Sequence, residues 1–208
     1  MTLTPTDAKR AIYVDFEGYR DHAPALIGIL VEDEFEIVVL DEALQSAAAA
    51  KACRTTDGAV ALRELAERAR AEGRRICAFG NHERDAAREY FDVDLEDIYV
   101  NGHRLVKAWW RHTRPGQRPP RRSHRRRRWQ PLGRWTLEFF ERGLGLHRSR
   151  HLRAGHATSR LRHVRAQLQP RGSFDRLTPT AKSKWTKLLR YNETDVRNLR
   201  AMVCAAAG

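Results

Sequence analysis

The first apolar run of the chain, AIYVDFEG at 11–18, carries two carboxylates inside it. Its β-branched and aromatic residues, closed by Gly18, predict a buried strand. Successive side chains of a strand point to opposite faces, so Asp15 and Glu17, two apart, leave the same face. Two acids side by side on a buried strand repel each other and lose hydration. A fold built on this strand therefore either exposes the strand end or supplies a cation. A divalent ion is the simplest supply, because hard cations such as Mg²⁺ take carboxylate oxygens. D-x-E is a common pair, and other carboxylates must decide between the two.

The surrounding pattern predicts an α/β domain. ALIGILV (25–31) and EFEIVVL (34–40) read as two further strands joined by an acidic turn at Glu32 and Asp33, which gives an antiparallel meander. DGAVALRELAERARAEG (57–73) sets Val60, Leu62, Leu65, Ala66 and Ala69 at helical spacing, with Gly73 as the stop. RRICAFG (74–80) is a fourth strand, and a strand returning after a helix implies a parallel crossover. NHERDAAREYF (81–91) opens a second helix, LEDIYV (95–100) reads as a fifth strand, and a helix follows through Leu105, Val106 and Trp109. Residues 111–134 hold four prolines, two glycines and ten arginines without an apolar period, and read as an Arg/Pro-rich loop insertion. RWTLEFFERGLGL (134–146) is a short helix ended by Gly145. Residues 147–177 read as a basic irregular segment with room for a helix at 157–168, and 178–206 as one long helix or two. The order implies a single mixed domain over 1–208.

Two later segments offer partners for Asp15 and Glu17. Tyr191 and Asp195, spaced i and i+4, share one helix face among Leu188, Leu189, Val196, Leu199 and Val203. An aspartate there can complete a metal site, and a tyrosine one turn earlier can orient a water; the plainer reading is a packed tyrosine and a solvated aspartate. In NHERDAAREYF, Glu83 and Asp85 compete. From Glu83 the i+3, i+4 and i+7 positions are Ala86, Ala87 and Tyr90, whereas from Asp85 the i+3 and i+4 positions are Arg88 and Glu89. The period turns Glu83 toward the sheet. His82 is either a general base beside Glu83 or a structural histidine, and Asp97 is a further acid marking the start of the fifth strand.

Charge is unevenly placed. The 208 residues carry a formal net charge of +13, but residues 1–100 balance at −9, residues 101–172 at +18 and residues 173–208 at +4. The middle block has only Glu138 and Glu141 as acids. A clustered positive field addresses a polyanion, and nucleic acid is the expected one. Arg125, Arg126, Arg127 and Arg128 are the expected phosphate contacts, with Trp129 as the stacking residue among the tryptophans 109, 110, 129 and 135 that bracket the run. No apolar stretch reaches the roughly 18 residues of a membrane span, and MTLTPTDAKRAIYVDFEG has no basic-then-apolar signal pattern. Cys53, Cys77 and Cys204 show no metal or disulfide spacing. The expected setting is cytoplasmic, with the basic block suited to association with the nucleoid.

YVDFEG, ICAFGNHERDAAREYF and LLRYNETDVRNLRAM together resemble the three acidic motifs of the DEDD exonucleases in the ribonuclease H-like superfamily. The resemblance is closest to the YprB-type branch of bacterial predicted nucleases, where Y-N-x-x-D-V and an upstream element similar to RWTLEFFERGLGL recur. It implies a mixed five-stranded sheet of order 3-2-1-4-5 flanked by helices. It also implies two divalent ions, Mg²⁺ or Mn²⁺, on Asp15, Glu17, Asp195 and a second-motif acid, with 3′–5′ cleavage of single-stranded DNA or RNA. For that acid, Asn81 followed by Asp85 matches the N-x3-D spacing of related nucleases, while Glu occurs in the YprB-type branch, so both Glu83 and Asp85 stand. Tyr191 matches the tyrosine subtype. The alternatives to a nuclease are a catalytically inactive nucleic-acid-binding module of the same fold and an interaction domain docking on a nucleoprotein. Whether the chain works alone or beside a helicase or repair protein is left open by its residues.

Overall fold

The computed structural model describes residues 3–19, 22–119, 135–152 and 156–208. A short helix, α1 (Pro5–Arg10), is capped by Thr4, whose hydroxyl accepts from the Asp7 amide at 3.1 Å. There follow β1 (Ile12–Gly18), β2 (Pro24–Val31), β3 (Glu34–Val39), α2 (Gln45–Ala49) and β4 (Arg54–Thr55). Next come α3 (Gly58–Ala71), β5 (Ile76–Ala78), α4 (His82–Phe91), β6 (Tyr99–Asn101) and α5 (Gly102–Thr113). The later helices are α6 (Leu137–Leu144), α7 (Ala157–Arg171) and α8 (Pro179–Ala207).

Among the described residues the strands form one mixed six-stranded sheet, in the order β4-β3-β2-β1-β5-β6, flanked by helices. β1, β2 and β3 pair antiparallel, whereas β5 joins β1, β6 joins β5 and β4 joins β3 in parallel. The sequence predicts five strands. The sixth, β4, is a two-residue exposed edge, too short to show an alternation of its own. The strand expected over 95–100 starts only at Tyr99, because residues 96–98 form a turn.

β1 divides the core between the two faces. Ile12, Val14 and Phe16 enter a cluster with Leu62, Leu65 and Ala66 of α3 and Ala86 and Ala87 of α4. Tyr13 points the other way, into a cluster with Val196, Leu199, Met202 and Val203 of α8 and Val106 and Trp110 of α5. A third cluster packs Leu26, Ile37 and Val39 of the sheet against Leu161, Val164 and Leu168 of α7 and Trp185 and Leu188 of α8. Each large apolar side chain buried in this way contributes about 1.5–3 kcal/mol. That sum holds α8 on the sheet even though polar residues interrupt its apolar stripe.

Several expectations give way. The helix expected at 157–168 within segment 147–177 is present as α7, which runs on to Arg171. Leu161, Val164 and Leu168 supply a narrow buried stripe at i, i+3 and i+7, which the surrounding arginines obscure in the sequence. The expected loop 111–134 begins inside α5, since Arg111–Thr113 are helical; Trp110 Nε1 then donates to the Gln117 carbonyl at 2.9 Å and folds the chain back. Trp110 is thereby core rather than a stacking surface. Val60 and Tyr90, both expected on buried helix faces, are 41% and 37% exposed. They lie at the rim of their helices, beyond the reach of the sheet.

Candidate metal centre

The period of α8 brings its polar residues onto β1. Trp185, Leu188, Asn192, Asp195, Leu199 and Met202 are all buried, at the alternating three- and four-residue spacing of a single helix face. Asn192 and Asp195 therefore stand where the stripe would otherwise be apolar, pressed against the face of β1 from which Asp15 and Glu17 project. One carboxylate oxygen from each of Asp15, Glu17 and Asp195 lies within 4.8 Å of the other two. The donors are all hard oxygens, and the cluster could hold a metal ion.

Asp15 is held in place by a residue that the sequence analysis did not single out. Asn192 Nδ2 donates to the Asp15 carboxylate at 2.7 Å and to its backbone carbonyl at 3.0 Å. The approach needs an empty position on the neighbouring strand. Gly28 pairs with Asp15 across β1 and β2, and a Cβ on it would stand 1.7 Å from Asn192 Oδ1. The two signals were there to be read: a glycine interrupting ALIGILV, and an asparagine three residues before Asp195 on the same helix face.

Of the second-motif acids, Glu83 faces inward and Asp85 does not. Glu83 is buried at the start of α4 and accepts from the Tyr99 hydroxyl at 3.3 Å. Asp85 is exposed and pairs with its neighbour Arg84 at 2.8 Å. Glu83 is outside the three-residue cluster, yet its charge is close enough to raise the pKa of both Asp15 and Glu17. Asp97 is bound on the surface to Arg70 at 2.8 Å and does not reach the centre; it lies in the turn before β6, not at the start of a strand. His82 is exposed and lines the cleft outside the acids.

The acids act on one another as the spacing requires. Burial, then Glu17, Asp195 and Glu83, push Asp15 well above the usual carboxylate range, and the Asn192 hydrogen bond works against this rise. Glu17 is pushed up to about 8 by burial and by Asp195 and Glu83, with Arg160 opposing. Asp195 is raised by burial to about 6, held down by Arg148 and Tyr191. Burial also raises Glu83. Without a cation, the cluster is one that prefers to keep protons.

Two arginines of the basic block close over this cluster. Arg148, nearly fully buried, bridges Glu141 and Asp195 through its Nη2. Its Nε donates to Glu141 at 2.8 Å and its Nη1 to the Leu152 carbonyl at 3.1 Å. Asn198 of α8 donates to Glu141 at 2.8 Å, and the Arg148 guanidinium lies 5.2 Å from the centre of the Tyr191 ring. Tyr191 itself is buried one helical turn before Asp195; burial and then Asp195 raise its pKa. Arg160, buried on α7, donates to the His151 carbonyl at 2.7 Å, while its Nη1 has no partner among the described residues. Neither arginine was singled out from the sequence. The usable signal was Glu141, one of two acids in a block of +18.

Beside Glu17 and Gly18 opens a cleft of about 550 Å³, lined also by Tyr19, His22, His82 and Thr158. Arg125, Arg126, Arg127, Arg128 and Trp129 lie outside the described residues. Trp185, the other tryptophan near the C-terminal motif, is core, its Nε1 donating to the Ala47 carbonyl at 2.9 Å. No helix among the described residues is long and apolar enough to cross a membrane. Compared with known proteins, the chain matches no family model, no curated protein and no solved structure.

Proposed function

We propose that this chain is a divalent-metal-dependent nuclease that hydrolyses phosphodiester bonds of single-stranded DNA or RNA. In this reading it is a 3′–5′ exonuclease of the DEDD group, with a ribonuclease H-like sheet to which β4 is an added edge. The observation that carries the reading is the meeting of Asp15, Glu17 and Asp195 within 4.8 Å. Asp195 is buried and Asp15 and Glu17 half-buried, and acids at this spacing call for a cation to offset their repulsion. Asp15, Glu17 and Asp195, with Glu83 beside them, would hold Mg²⁺ or Mn²⁺, two ions in the full arrangement. Such ions, when bound, supply an activated water and stabilise charge on the leaving oxygen.

The chain's own residues orient the reaction. Asn192 fixes the Asp15 carboxylate, Tyr99 fixes Glu83, and Arg148 fixes one oxygen of Asp195. Tyr191, whose raised pKa keeps it a phenol, would orient the attacking water through its hydroxyl oxygen rather than remove its proton. The basic block holds the strand, with Arg125–Arg128 on phosphates and Trp129 against a base.

Hydrolysis of 3′- and 5′-labelled single strands, in Mg²⁺ and in Mn²⁺, tests the reading. Wild type should shorten strands from the 3′ end. Asp15→Ala should lose activity by more than about 100-fold, beyond the cost of losing an outer partner of a ligand. Equal activity in the two proteins, or none with either metal, would overturn it. One observation favours a second reading, the inactive binding module: Arg148 already occupies an oxygen of Asp195. That module would bind strands and cut none.

A further inference from the structure

A second cavity lies next to the cleft at Glu17. It measures about 720 Å³, and Tyr19 and His22 line both spaces. Its far wall is α7, which contributes Arg162, Arg165 and Gln169. These residues recur at i, i+3 and i+7, each one position after the buried stripe Leu161, Val164 and Leu168 and so about 100° round the helix from it. Thr158, one turn before Arg162, lines the cleft at Glu17 and donates to the Gly18 carbonyl at 3.1 Å. One face of α7, Thr158–Arg162–Arg165–Gln169, thus runs from the acid centre into the second cavity. At 1.5 Å per residue that face is roughly 16 Å long, more than one nucleotide needs.

The chemistry of the track is that of a single strand. Arg165 stacks over the Tyr19 ring at 5.1 Å and lies 3.6 Å from Asp41, which also accepts from the Tyr19 hydroxyl at 2.9 Å. Arg165 and Tyr19 are therefore held, and form a flat, cationic wall. Arg162 is exposed and makes no hydrogen bond or ion pair among the described residues. Among the described residues, Glu42 is the one acid lining the cavity. A planar base fits the Tyr19 and His22 side, and a phosphate fits the guanidinium side.

We propose that this cavity is a strand-binding subsite that receives the nucleotides following the one at the acid centre, with a phosphate on Arg162 and a base beside Tyr19 and His22. The proposal rests on the nucleic-acid reading above, but it concerns binding and can be tested without cleavage. Fluorescence anisotropy of labelled oligothymidylates and oligouridylates, of about two to about eight nucleotides, would be measured in EDTA with the full chain. Wild-type affinity should rise with length. Arg162→Glu should weaken the longer oligomers by about tenfold and lower the salt slope by about 0.7, the value of one single-strand phosphate contact. Arg162→Ser should do the same to a smaller degree. Arg104→Glu, the same charge change on an exposed residue of α5, should alter affinity less than twofold. Equal losses in Arg162→Glu and Arg104→Glu would mean that net charge alone acts, and would overturn the subsite. Unchanged binding in Arg162→Glu would do so too. The DNA and RNA arms tell which strand it takes. Absence of cleavage by wild type alongside a selective Arg162 effect would sink the nuclease and leave the subsite standing.

Discussion

At the scale of single residues, Glu141 and Arg148 bring no net charge to the acid centre, because they neutralise each other. What they bring is a donor in a fixed place, braced by Asn198 and Leu152 and aimed at one oxygen of Asp195. Arg148→Ala leaves Glu141 buried without its partner and should cost about 3–5 kcal/mol of stability in urea unfolding. The double variant Arg148→Met/Glu141→Leu should recover most of that stability, since an apolar replacement removes both charges. It should not recover divalent-ion affinity, measured by calorimetry with Mn²⁺; full recovery of both would make the pair mere packing. Gly28→Ala, by contrast, puts a methyl group on Asn192 Oδ1. Overpacking of this kind costs about 1–3 kcal/mol, and the variant should also bind Mn²⁺ more weakly because Asp15 loses its hydrogen bond. Asp15, Glu17 and Asp195 were legible in the sequence, since each carries the reactive group itself. Asn192 and Gly28 left only indirect signals and Arg148 none of its own, because their value depends on which side chain lies opposite, and only the folded chain supplies that.

At the scale of elements, α7 is the most informative. Its four arginines hide three buried residues, Leu161, Val164 and Leu168, which anchor Arg160 near Glu17 and turn Arg162 and Arg165 outward. Leu161→Ala should lower stability by about 2–5 kcal/mol; a loss under about 0.5 kcal/mol, the size of a surface change, would mean that α7 is not packed on the sheet. The meander of β1, β2 and β3 could be predicted because each strand has an apolar run of its own. β4 could not, since its pairing with β3 depends on Val38 and Val39 across the gap and not on any pattern within Arg54–Thr55. α8 was expected as one helix or two. Its continuity follows from a buried stripe that runs unbroken through Asn192 and Asp195.

At the scale of the whole molecule, the acid centre links stability to pH and to metal. Glu17 titrates near 8 in the folded chain against an ordinary value of 4.5, so between those values the folded form holds more protons than the unfolded one. Stability is then full below about pH 4.5 and lost as pH rises toward 8. Asp15, also raised, adds to the same trend, as does Asp195 with its value near 6. The melting temperature in EDTA should fall across that window, and millimolar Mn²⁺ should flatten or reverse the fall. A melting temperature that climbs steadily from pH 5 to pH 8 in EDTA would contradict the buried acid cluster.

Asp15 and the Asn192 that holds it are 177 residues apart in the chain. During synthesis β1 leaves the ribosome long before α8, and for most of that time its two carboxylates face nothing that can answer them. The centre comes into being only when α8 docks, one of the longest-range contacts the fold makes. On the nuclease reading, the nascent polypeptide exposes its arginine-rich middle beside a messenger RNA while still lacking any means of cutting it.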